Sequence, residues 1–118
     1  MLTSAHILSI LALSFSQSSE GVEIPDFLQD IIVSLESERP ENAPEEIWQF
    51  VLEERTVFYI APRYCCDLPS ILYDATGNVI CHPDGGIVGA GDGQCLDFFK
   101  LRSDGVRLWR HPGLDEGK

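Results

Sequence analysis

Apolar residues follow three rhythms along this chain. Over residues 24–38, Phe27, Leu28, Ile31, Ile32 and Leu35 fall on one stripe at helical spacing, with Gln29, Asp30, Ser34 and Ser37 elsewhere around the cylinder. The spacing predicts an amphipathic helix. Pro25 suits its first position, Asp26 and Asp30 favour the positive end of the helix dipole, and Pro40 stops it. The polar face is acidic and carries no Lys, so the stripe is expected to pack on the protein's own sheet rather than on a bilayer.

After a Pro- and Glu-rich connection at 38–46 the rhythm becomes alternation. Trp48, Phe50 and Leu52 oppose Ile47, Gln49 and Val51, and residues 56–61 are rich in β-branched and aromatic side chains. Two strands joined through Glu53, Glu54 and Arg55 are expected, with Pro62 ending the second. Residues 71–74 and 79–81 predict a short hairpin whose turn uses Gly77. Residues 96–101 and 106–109 predict a third across Ser103, Asp104 and Gly105, and from His111 onward a flexible tail is expected. The fold class is therefore α+β: one N-terminal amphipathic helix packed on a small antiparallel sheet.

The third rhythm is a mainly apolar run at 2–15 with its core at Ile7 to Leu13, too short for the roughly 20 residues of a spanning helix. It reads as a signal peptide, with small residues Ser16 and Ser18 placing cleavage before Ser19. The expected organisation is a signal peptide at 1–18, helix and linker at 19–46, sheet at 47–110 with a disulfide-rich block at 64–98, and a tail at 111–118.

Charge removes some partners. The 118 residues hold 19 Asp and Glu against 8 Lys and Arg, a formal net charge of −11, which repels phosphate backbones and anionic headgroups. Nucleic acid is not an expected partner, nor is a membrane once the signal is removed. The four cysteines, Cys65, Cys66, Cys81 and Cys95, in a short chain with a secretory leader predict two disulfides and a secreted, extracellular protein. A vicinal bond between Cys65 and Cys66 would need a distorted peptide, so the expected pairing is nested or staggered.

The glycine-rich loop at 83–93 lacks the glycine spacing and the strand and helix of a dinucleotide site. Asp84 and Asp92, with Asp67 and Asp97 nearby, have the hard oxygen donors that calcium takes, but Asp-Gly pairs are commonest as plain turns. A zinc site from His82 and the cysteines runs against export and against the lack of any Cys-x-x-Cys pair. A cysteine nucleophile paired with His82 runs against the even cysteine count. No cofactor and no enzymatic activity are expected.

The block from Trp48 to Phe98, with VFYIAPRYCCD, LYDATGNVICHPDGG and GDGQCLDF in order, resembles an uncharacterised family of small secreted and lipid-anchored bacterial domains. The resemblance implies an exported disulfide-bonded domain with no assigned catalysis. Without a cysteine before Cys65 it implies free secretion rather than lipid attachment. The helix-on-sheet plan also resembles secreted inhibitors of the cystatin kind, although the Gln-x-Val-x-Gly hairpin is missing at 52–56. The functional expectation is a non-enzymatic module, protein-binding or inhibitor-like, that meets another extracellular protein. The alternative is a calcium-binding module using the loop.

Overall fold

The alternating run that carries Trp48 and Phe50 lies inside a five-stranded antiparallel sheet in the computed structural model, which describes residues 23–61, 68–86 and 89–116. Strands β1 (Glu46–Leu52), β2 (Arg55–Ile60), β3 (Ile71–Tyr73), β4 (Val79–Cys81) and β5 (Ser103–Arg110) stand in the order β4-β3-β2-β1-β5. Alternation sorts their side chains onto two faces. Phe50, Val57, Tyr59, Leu72 and Cys81 form one core with Phe98, while Ile47, Phe58 and Ile60 form the other with Leu28.

Helix α1 (Asp26–Glu36) covers the second face. Its Leu28 has no exposed surface, and Phe27, Ile31, Ile32 and Leu35 pack around the same core. Burying one such leucine contributes about 1.5–3 kcal/mol. Trp109 on β5 donates from Nε1 to Glu36 Oε2 at 2.9 Å, tying the end of the helix to the sheet edge. A short 3-10 turn (Pro40–Asn42) then leads into β1.

The β1–β2 connection is a two-residue turn, because Leu52 pairs directly with Arg55. Glu53 and Glu54 both sit at positive φ, 52° and 70°. A two-residue hairpin with both residues left-handed favours Asn-Gly, so this turn holds two residues that resist its geometry. At the β3–β4 turn, Asp74 Oδ1 accepts from the backbone N–H of Thr76 and Asn78 and from the Thr76 hydroxyl. These donors, the Asn78 N–H foremost, hold the Asp74 carboxyl below its ordinary pKa.

Two sequence expectations are corrected here. Residues 96–109 are not a hairpin: Phe98–Leu101 is a helical turn, α2, and 103–110 is one strand paired with β1. Asp104 and Gly105 lie within β5, where its register against β1 shifts and the Phe50 ring lies close over the Gly105 backbone. The expected flexible tail from His111 is also overturned over the described residues 111–116. His111 is 2% exposed, its N–H donates to Glu45 O, its Nε2 lies 2.9 Å from Glu38 O, and the turn α3 (Gly113–Glu116) follows.

The signal peptide at 1–18 lies outside the described residues. Among those described, no helix is long and apolar enough to cross a membrane.

Candidate functional site

The first sheet face is closed by the segment that leaves β4, and most of what holds that segment comes from the cysteine- and glycine-rich block. Cys81, the last residue of β4, is bonded to Cys95, fourteen positions on. This pairing overturns the expected nested and staggered arrangements, both of which use Cys81 and Cys95 in bonds to the vicinal pair. The reason is spatial: the loop after β4 turns back, so the two Cα atoms lie 6.2 Å apart. Cys65 and Cys66 lie outside the described residues.

Within the bonded loop the polar groups pair with one another. Asp92 N–H donates to His82 O at 2.9 Å, and His82 N–H donates back to Asp92 Oδ2 at 3.1 Å. Asp92 Oδ1 accepts from Gln94 N–H at 3.0 Å. Asp84 Oδ1 accepts from the Tyr59 hydroxyl at 2.7 Å, pinning the loop to β2. Burial first, and then the Asp84 carboxylate, push the Tyr59 phenol far above its ordinary pKa, so it stays a donor. Ser70 is fully buried; its Oγ accepts from Asp84 N–H at 3.0 Å and its carbonyl lies 2.8 Å from His82 Nδ1.

Asp84 and Asp92, the calcium candidates, are thus placed on one loop but used differently, one on a tyrosine and one on two backbone amides. Asp97 lies beyond Cys95 at the entry to α2, and Asp67 lies outside the described residues. Among the described residues no group of three or more His, Cys, Asp or Glu converges as a metal site would. Both oxygens of Asp92 accept a hydrogen bond, and asparagine has one acceptor oxygen. Asp92→Asn is therefore expected to cost roughly 1 kcal/mol in urea unfolding. A melting point that rises with millimolar calcium in the parent and not in the variant would instead make Asp92 a calcium ligand.

Sequence reasoning missed a groove beside the disulfide. It has a volume of about 430 Å³ and is lined by Leu52, Glu53, Ile80, Gly93, Gln94, Cys95, Leu96, Asp97, Phe98 and Leu101. Leu96 is 80% exposed, Leu101 49% and Ile80 44%, so its apolar wall faces water. Behind it the Arg102 guanidinium lies 4.8 Å from the Phe50 ring centre and 4.9 Å from that of Phe99, capping the aromatic core as a cation on π faces. The sequence signal was the spacing of Phe98, Phe99 and Leu101 after Asp97, which fits a helical turn better than a strand. A larger hollow of about 830 Å³ beside the start of α1 is lined from Glu23, the first described residue, onward.

A family model described as "Domain of unknown function (DUF6970)" matches residues 33–111, about two thirds of the chain. No curated protein and no solved structure matches it.

Proposed function

From a chain that belongs to the DUF6970 family, whose description assigns no activity, we propose an exported, non-enzymatic protein-binding module. One observation carries the reading: Ile80, Leu96 and Leu101 expose apolar surface on a frame fixed by the Cys81–Cys95 bond and the Asp92–His82 pair. Exposed apolar patches on a fixed frame suit association, because little conformational freedom is lost on docking. Export is supported by the disulfide, which persists in oxidising compartments, and by the apolar leader at 2–15. The engagement of the two histidines among the described residues argues for binding over catalysis. His82 Nδ1 meets Ser70 O, and His111 meets Glu38 O and Gly113 N–H.

A photo-crosslinking residue at position 96, with another at the similarly exposed Val33 on α1 as control, tests the reading in the native host. A discrete covalent adduct to an extracellular protein from position 96 alone is expected. Cytoplasmic retention, or no adduct beyond that from position 33, would overturn it.

A further inference from the structure

We infer that the groove beside the Cys81–Cys95 bond takes a basic, leucine- or isoleucine-bearing segment of another protein. The inference rests on the binding-module reading and adds the chemistry of the partner. The apolar wall is Leu52, Ile80, Leu96 and Leu101, and the charged side chains lining the groove are Glu53 and Asp97, with no Lys or Arg among the lining residues. Lys100 and Arg102 lie on or just after α2 but do not line it. An apolar side chain seated against Leu96, with a Lys or Arg on either side of it, would meet both carboxylates. A glutamate-bearing segment would meet like charge at both rims and the field of a chain carrying −11 overall.

The rim has a structural cost consistent with use. Glu53 and Glu54 hold left-handed backbone at the hairpin tip, where Asn-Gly would fold with less strain. Asp104, the remaining non-glycine residue at positive φ, is also acidic and lies at the same end of the sheet, next to the Ser103 that pairs with Val51. Acidic side chains therefore occupy all three of these positions among the described residues.

The test is a titration of the 15N-labelled full chain, read by amide shifts, with a short capped peptide of alternating Leu and Lys. Matched Leu–Glu and Ser–Lys peptides are the controls. Saturable shifts at Glu53, Leu96 and Leu101 are expected, with affinity about tenfold above either control. Leu96→Ser should weaken binding about tenfold without moving the melting point, since Leu96 is 80% exposed. Replacing Glu53-Glu54 by Asn-Gly should raise the melting point by several degrees yet weaken binding about threefold to tenfold.

Equal binding of the Leu–Glu peptide, shifts centred on α1, or parent-like affinity in both variants would overturn the inference. So would concentration-dependent shifts at the same amides without peptide, which would assign the groove to a second copy of this chain. A position-96 adduct with no Leu–Lys preference would sink the partner chemistry alone. Absence of the adduct would sink the binding-module reading itself.

Discussion

Gly91→Ala is expected to destabilise the protein by about 3 kcal/mol or more, while Gly93→Ala, two positions away, costs about 1 kcal/mol. Both glycines sit at positive φ, 68° and 77°, so both variants meet the left-handed penalty of an L side chain. They differ in surroundings. A Cβ on Gly91 would run into the His82 carbonyl oxygen and lie 2.7 Å from Asp84 N, whereas nothing lies within 4 Å of one on Gly93. These obstacles are backbone, so no rotamer change relieves the clash, and His82 and Asp84 are themselves tied to Asp92, Ser70 and Tyr59. Relief would mean detaching the loop from the sheet. In thermal unfolding followed by circular dichroism, a fall of at least about 12 °C is expected for Gly91→Ala and roughly a third of that for Gly93→Ala. Equal losses would mean that glycine serves this loop through φ alone and that the loop does not close on the β4 end as tightly as the contacts require.

That pair of glycines shows where the sequence was readable and where it was not. Glycine density at 83–93 announced unusual backbone, yet which glycine faces a wall depends on His82 and Asp84, whose places are set by Tyr59 on β2 and by Ser70 just before β3. The stripe at 24–38 and the alternation at 47–52 and 56–61 were legible because burial on one face imposes its period on a contiguous stretch. Helix α1 and strands β1 and β2 lie within a residue or two of those stretches. The 96–109 region failed for the opposite reason. Leu96, Phe98, Phe99 and Leu101 are apolar in no strand rhythm, and β5 is defined by long-range register against β1, including the irregularity around Gly105. His111 read as tail because a lone histidine before Pro112 carries no periodicity, although its ring bridges Glu38 and Gly113. Disulfide connectivity was illegible in principle, since pairing follows the spatial path of the loop and not the spacing of the cysteines.

Replacing Cys81 and Cys95 together by alanine is expected to lower stability by about 3 kcal/mol, the chain-entropy value for closing a loop of about 15 residues. The effect should concentrate locally, because the bond is the one covalent tie on a segment otherwise held by hydrogen bonds near its start. Between the two cysteines, the described contacts to the rest of the chain are chiefly the Asp84–Tyr59 hydrogen bond and the hydrogen bonds of His82, Asp84 and Gly86 to Leu68 and Ser70, and after Cys95 the next buried anchor is Phe98. Hydrogen exchange should therefore report lost protection at Asp92, Gln94 and Phe98, whose N–H groups bond to His82 O, Asp92 Oδ1 and Cys95 O, before any change at the β1–β2 ladder. The groove spans the bond, with Ile80 on one side and residues 93–98 and Leu101 on the other. Its walls would then lose their fixed spacing while the sheet and helix α1 persist, and affinity for the Leu–Lys peptide should fall by more than the Leu96→Ser variant alone produces. Unchanged exchange in 82–98 together with a stability loss under about 1 kcal/mol would show that the hydrogen-bonded loop holds itself, and that the disulfide does not build this surface.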